Sequence, residues 1–173
     1  MRYKSKKQYR LKGYDYSSGG CYFVTICMQN RKHFFGQVVE EEIRLSKLGK
    51  IAKDYWLEIP KHFLCVELDQ YVVMPNHVHG IVVIHSNRRN APWHVPTGIQ
   101  PLVKNSLSSI INHYKGAVKR FCNKNDLEYF SWQLRYYDHI VRNDEDLNRI
   151  REYIIHNPLK WAFDRNNLEN LYI

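Results

Sequence analysis

No uninterrupted apolar run of about eighteen residues, the length a membrane-spanning helix needs, occurs in this 173-residue chain. The first residues, Met1-Arg2-Tyr3-Lys4-Ser5-Lys6-Lys7, hold no apolar core of the kind a secretory signal carries. The expectation is a chain that neither spans nor anchors to a membrane and works in the cytoplasm. Cysteine is scarce, and none of Cys21, Cys27, Cys65 and Cys122 pairs with another as C-x-x-C. That argues against a zinc ribbon or a dithiol redox motif and leaves reduced thiols as the expectation. Internal repeats and low-complexity linkers are also missing, so residues 1–173 read as one domain. Acids are absent from residues 1–12, which carry Arg2, Lys4, Lys6, Lys7, Arg10 and Lys12 and read as a basic arm.

What is present points to a folded protein with a polyanionic partner. The hydrophobic fraction of 44% suffices for a core. The net charge of +9 suits nucleic acid, whose phosphates release counterions to Lys and Arg. Thirteen tyrosines interleaved with these cations offer stacking surfaces for unpaired bases.

Hydrophobic periodicity sets the expected elements. Residues 21–27, Cys-Tyr-Phe-Val-Thr-Ile-Cys, read as a strand buried on both faces. A short hairpin is expected over 36–45, with acidic residues at its tip. Ser46 opens a helix to about Ile59, which Pro60 is expected to stop. A strand over 63–74, a turn at Pro75-Asn76 and a strand over 77–84 make an antiparallel hairpin. The segment 85–101 reads as a basic, aromatic loop carrying Arg88, Arg89 and Trp93, a candidate contact for single-stranded nucleic acid. A helix over 103–124 leaves Lys115, Lys119 and Arg120 outside its apolar stripe. A strand over 132–141 precedes a last helix that Asn143 caps and Pro158 ends, running to about Asn157. This order predicts an α+β fold of ferredoxin-like or RNA-recognition type, an antiparallel sheet with packed helices.

Two features carry chemistry. In a strand of period two, His77 and His79 point to the same face, and two imidazoles on one face suit a divalent metal or a polar, half-exposed strand. In the last helix Leu147, Ile150 and Ile154 form the core stripe. Tyr153 and Asn157, four apart, neighbour each other on its flank, at roughly 100° and 60° from the stripe. A tyrosine there either covers the rim of the core or presents a hydroxyl at the sheet edge.

His77-Val78-His79 resembles the His-hydrophobic-His motif of single-strand endonucleases. Tyr153-Ile154-Ile155-His156-Asn157-Pro158 resembles the nucleophile helix of the REP-associated tyrosine transposases, bacterial relatives of the single-tyrosine insertion-sequence transposases. Four more segments resemble that family. They are Arg10-Leu11-Lys12-Gly13-Tyr14-Asp15-Tyr16, Tyr22-Phe23-Val24-Thr25-Ile26-Cys27, Tyr71-Val72-Val73-Met74-Pro75-Asn76, and Trp132-Gln133 with Tyr137-Asp138-His139-Ile140. The resemblance implies a transposase that cleaves and rejoins single-stranded DNA through a covalent 5′-phosphotyrosine on Tyr153. It implies Mg²⁺ or Mn²⁺ held by His77, His79 and Asn157, where the insertion-sequence enzymes commonly carry Gln in place of the Asn. It further implies single-stranded or hairpin DNA from repetitive extragenic palindromes as partner, a nucleoid-associated location, and a monomer or homodimer. Arg2, Lys4, Lys6, Lys7, Arg10, Lys12, Arg88, Arg89, Trp93, Lys115, Lys119 and Arg120 are the expected DNA contacts. Two alternatives stand beside this reading. One is a module that holds hairpin DNA or RNA without cutting it. The other is a hydrolytic metal enzyme in which water attacks and Tyr153 only packs.

The charge pattern makes a measurable claim. Affinity for hairpin DNA should fall steeply from low to physiological salt, and deletion of residues 1–12 should make that slope shallower in a fluorescence-anisotropy titration. A salt-insensitive affinity would remove the electrostatic basis.

Overall fold

Alternating β-branched and aromatic residues build the central strands, and the alternation sorts them between two unlike faces. The computed structural model of the chain describes residues 15–16, 19–85 and 105–163. The basic arm 1–12 and all of the 85–101 loop except His85 lie outside the described residues. β1 is Gly20–Cys27, followed by a short hairpin of β2, Gly36–Val39, and β3, Glu42–Leu45. α1 is Lys47–Leu57 and α2 is Ile59–His62. The long hairpin is β4, Val66–Met74, with β5, His77–Ile84. α3, Leu107–Lys124, β6, Tyr137–Val141, and α4, Asp144–Ile155, complete the order.

The main sheet has the order β4-β5-β1-β6, with every neighbour antiparallel. Setting the small β2-β3 pair aside, this is the ferredoxin-like α+β plan. On one face Tyr22, Val24, Ile26, Val78, Val82 and Val73 pack with Trp56 of α1 and with Leu107, Ile110, Ile111, Tyr114 and Val118 of α3. On the other face Phe23 and Ile81 pack under Ile150 and Ile154 of α4. The two faces thus have separate covers, with α4 on the second.

Local chemistry explains most boundaries. Ser46 caps α1 by accepting from the Gly49 N–H at 3.0 Å, and Asn143 caps α4 by accepting from the Asp146 N–H at 2.8 Å. Asp144, Glu145 and Asp146 fill the first turn of α4, where the helix dipole favours acids. The expected single helix 46–59 is instead two. α1 ends at Leu57, and Pro60 sits in the first turn of α2, where its missing N–H costs no bond. The strand expected from 63 accordingly begins at Val66. The helix expected from 103 begins at Leu107 behind the cap of Ser106. The strand expected over 132–141 is confined to Tyr137–Val141, and Trp132 makes only an isolated bridge to Met28. α4 stops at Ile155, two residues before Asn157, because the residue ahead of Pro158 disfavours helical backbone.

Two packing details fix the sheet. A bulge in β4 shifts the register between Leu68 and Tyr71, so both reach the α1–α3 core although they are three residues apart. Gly80 lies under the Trp56 indole, and a Cβ there would stand 2.2 Å from its Cζ2. Among the described residues no helix is long and apolar enough to cross a membrane.

Gly80→Ala should therefore cost roughly 1–3 kcal/mol through overpacking, read as a lowered urea midpoint. Pairing it with Trp56→Phe should recover part of that loss. A Gly80→Ala midpoint equal to that of the parent would mean the indole moves aside freely.

Candidate active site

The pairing of β1 with β5 sets Thr25 opposite His79 and Cys27 opposite His77. His77, His79, Thr25 and Phe23 consequently share the face that α4 covers, and both imidazoles are buried there. Their Nε2 atoms converge at 2.9 Å. Each Nδ1 is engaged on the far side of its ring: His77 Nδ1 lies 2.8 Å from Asn76 Oδ1, and His79 Nδ1 lies 2.9 Å from Thr25 Oγ1.

α4 brings Tyr153 over this pair. Its Oη is 3.3 Å from His79 Nε2, and the ring meets Phe23 edge-on at 6.0 Å. Phe23 in turn stacks on His79 at 5.4 Å between ring centres. Tyr153 is nonetheless 43% exposed, so one side of the hydroxyl's surroundings is open. Trp161, in a 3₁₀ turn after α4, closes the opposite flank against His77 and His33. Asn157 is buried, and its side-chain oxygen has no hydrogen-bond partner among the described residues. A buried amide oxygen without a donor is costly unless something else fills the role.

These residues fit a divalent ion. Two ligands held at about 2.1 Å and at right angles on one ion stand ~3 Å apart, which matches the spacing of the two Nε2 atoms. Fixing of both Nδ1 atoms by neighbours is the usual support of metal-binding histidines. The orphaned Asn157 oxygen is a donor of a type such an ion accepts. No group of three or more His, Cys, Asp or Glu suited to a metal occurs among the described residues.

Two ion pairs tie α4 down from opposite edges of the sheet. Arg151 Nε donates to both carboxylate oxygens of Asp69 in β4 at 3.1 and 3.0 Å, with Nη2 at 2.5 Å from one of them. Burial pushes the Asp69 carboxyl up, but the bonds from Arg151 and the Gln70 N–H outweigh it and hold the group below the usual carboxylate range. At the other edge His139 Nε2 lies 2.7 Å from Asp146 Oδ2. Arg149 first, and then His139, hold the Asp146 carboxyl down to about 2. Nearby, burial and then Asp69 push the Cys21 thiol up to about 11, which keeps it protonated and inert.

The structure thus brings together His77, His79 and Tyr153, and buries Asn157 one turn beyond. The other expected contacts lie elsewhere. Arg2, Lys4, Lys6, Lys7, Arg10, Lys12, Arg88, Arg89 and Trp93 are outside the described residues. Lys115, Lys119 and Arg120 belong to α3, whose core stripe packs on the opposite face of the sheet. Lys115 Nζ donates to the carbonyls of Gln133 and Leu134 at 2.7 and 3.3 Å, and burial lowers its pKa. Lys119 Nζ donates to those of Glu128 and Phe130 at 2.9 and 2.7 Å. Both ammonium groups fasten the segment before β6, and a phosphate contact would compete with those bonds. Sequence reasoning missed Thr25, Asn76, Phe23 and Trp161. Only the pairing register could have singled out Thr25, and Asn76 read as a turn residue.

No family model matches the chain. It is 35% identical over 165 residues to an uncharacterized protein of Haemophilus influenzae, covering 92% of each. It is 25% identical over 147 residues to the REP-associated tyrosine transposase of Escherichia coli, covering 84% of this chain and 70% of the relative. Its fold is that of a solved REP-associated tyrosine transposase bound to a REP hairpin, with a TM-score of 0.61 at 20% identity over 90% of this chain and 76% of the other. Both the named relative and the fold neighbour are REP-associated tyrosine transposases.

The Asp146 anchor has a pH signature. Its folded carboxyl titrates at about 2, below the ordinary value near 4, so its contribution is complete above roughly pH 5 and is lost as pH falls through about 2. Asp146→Asn should lower the melting temperature at neutral pH, and the gap to the parent should close as pH approaches 2. A gap independent of pH would show that the carboxylate charge is not what holds α4.

Proposed function

We propose that the protein is a metal-dependent single-stranded DNA endonuclease and strand transferase that acts on palindromic repeat hairpins through a covalent 5′-phosphotyrosine. The observation that carries this reading is the approach of Tyr153 Oη to the converging Nε2 atoms of His77 and His79, 3.3 Å from the second. A tyrosine that merely packed would have no need to direct its hydroxyl at a candidate metal pair. The named relative and the hairpin-bound fold neighbour support the substrate class.

Tyr153 Oη attacks the scissile phosphorus. The O–P bond forms, the bond from phosphorus to the DNA 3′ oxygen breaks, and that oxygen leaves as a 3′-hydroxyl after taking a proton. The phenolic proton departs to solvent, which reaches the half-exposed ring. Because one phosphoester replaces another, the reverse attack by a 3′-hydroxyl rejoins DNA without ATP. Mg²⁺ or Mn²⁺ held by His77 Nε2, His79 Nε2 and Asn157 Oδ1 would supply positive charge to the phosphate oxygens. Phe23 and α4 hold the phenol in place, so little orientational freedom is left to lose at the moment of attack. Tyr137, 47% exposed and next to Thr25 on the same face, offers an aromatic surface to an unpaired base beside the phosphate. A substrate whose scissile strand is unpaired suits this open side.

Incubation of the protein with an end-labelled repeat hairpin and Mn²⁺, resolved on a denaturing gel, should show a protein–DNA adduct that mass spectrometry places on Tyr153. Tyr153→Phe keeps the ring, changes stability by at most ~1–2 kcal/mol, and should lose adduct and cleavage together. His77→Ala or His79→Ala should lose both while retaining hairpin binding. Cleavage without an adduct would favour attack by water, binding without cleavage would favour a non-cutting module, and an adduct on Tyr136 or Tyr137 would identify a different nucleophile.

A further inference from the structure

The turn that precedes the histidines is built to fix the proton on one of them. Asn76 is 1% exposed, and its side-chain amide is bound at both ends. Nδ2 donates to the backbone carbonyl of Arg31 at 2.9 Å. A carbonyl only accepts, so that bond settles which end of the amide is nitrogen. The other end, which faces His77 Nδ1 at 2.8 Å, is therefore the oxygen. An amide oxygen also only accepts, so His77 Nδ1 must carry the hydrogen. In a neutral imidazole the lone pair then lies on Nε2, the atom that faces His79.

The segment that supplies the Arg31 carbonyl is shaped for the purpose. Asn30 and Arg31 both take the left-handed backbone, with φ of 57° and 51°, a conformation that non-glycine residues seldom adopt. Met28 N–H donates to the Asn76 carbonyl and Phe35 N–H to the Pro75 carbonyl, each at 2.9 Å, so the turn is stitched to the chain leaving β1. Strained backbone, two main-chain bonds and a buried amide all converge on one side-chain oxygen.

His79 has a different kind of partner. Thr25 Oγ1 can donate or accept, so it serves His79 with the hydrogen on either nitrogen. Two lone pairs facing each other at 2.9 Å would repel, so the space between the two Nε2 atoms must hold a hydrogen or a cation. With His77 fixed, the hydrogen in the metal-free protein belongs to His79 Nε2, and Thr25 donates to His79 Nδ1. When a cation takes that place, His79 carries its hydrogen on Nδ1 and Thr25 accepts it.

We propose that Asn76 is a positioning residue that holds His77 in the Nδ1–H tautomer and so keeps its Nε2 open to a divalent cation, with His79 the partner that switches tautomer across Thr25. The inference rests on the metal-dependent reading above, and its first measurement is independent of metal. Long-range ¹⁵N–¹H spectra of the metal-free full chain should show His77 as Nδ1–H and His79 as Nε2–H. In Asn76→Ala the His77 preference should be lost. In Asn76→Asp, which keeps an oxygen to accept from Nδ1–H but gives up the donation to the Arg31 carbonyl, it should return.

Mn²⁺ binding is then titrated by calorimetry on Tyr153→Phe protein complexed with an uncleaved repeat hairpin. Adding Asn76→Ala should weaken Mn²⁺ by about 10–100-fold, and adding Asn76→Asp should restore most of the loss. His77 found as Nε2–H in the parent would overturn the proposal, and so would an Asn76→Ala protein that keeps both tautomer and Mn²⁺ affinity. If Asn76→Ala fails to fold, the parent spectrum and the Asp variant still decide. Failure of the parent complex to bind Mn²⁺ at all would overturn the metal-dependent reading and with it the purpose assigned to Asn76, even where the spectra show the tautomer as described.

Discussion

His77 and His79 reach the face beneath α4 only because β5 pairs with β1 in one register. A strand alternates its side chains, so a slip of one residue would turn both imidazoles toward Trp56 and Tyr114 and put Val78 and Gly80 under α4. The two faces are too unlike for that. Val78, Val82 and Ile84 fill the core under α1 and α3, while Gly80 makes room for the indole. Imidazoles moved into that core would leave their partners Asn76 and Thr25 behind, and unpaired buried polar groups cost on the order of 1–3 kcal/mol each. The apolar core therefore chooses the register, and the register places the chemistry.

A second requirement is that a helix hold a tyrosine still while leaving it half open. α4 meets it with ties at separate places: a cap at Asn143, Asp146 to His139 on β6, Arg151 to Asp69 on β4, and Ile150 with Ile154 on Phe23 and Ile81. None of these four ties uses Tyr153 itself. The hydroxyl can thus face His79 on one side and solvent on the other without the helix losing its seat.

Local patterns were legible in the chain, and long-range ones were not. The His-x-His face, the Ser46 and Asn143 caps, the Pro75-Asn76 turn and the stripe of α4 depend on residues a few positions apart, and period alone locates them. The ferredoxin-like order followed from the elements in sequence. Asp69 and Arg151 are 82 positions apart, and their meeting depends on a bulge that no periodicity announces. Lys115 and Lys119 looked like free cations because they lie outside a helical stripe. Their partners are backbone carbonyls, those of Lys115 within the segment mistaken for strand and those of Lys119 just before it, and a carbonyl has no letter in the sequence. Pro60 misled for a related reason. Proline ends a helix or begins one with the same residue, and the surrounding fold decides which.

The unequal packing of the two faces has a bearing on motion. α4 rests on a cluster whose buried members are Phe23, Ile81, Ile150 and Ile154, whereas the sheet and the other long helices share one much larger core. Regions with less buried apolar contact open at lower free energy than the whole molecule unfolds. On that basis α4, which carries Tyr153, should open more readily than the strand that carries His77 and His79. The amides of β1 and β5 would exchange with solvent only on global unfolding, and those of α4 through a shallower opening. How often Tyr153 faces His79 would then depend on how often this one helix is seated on the sheet.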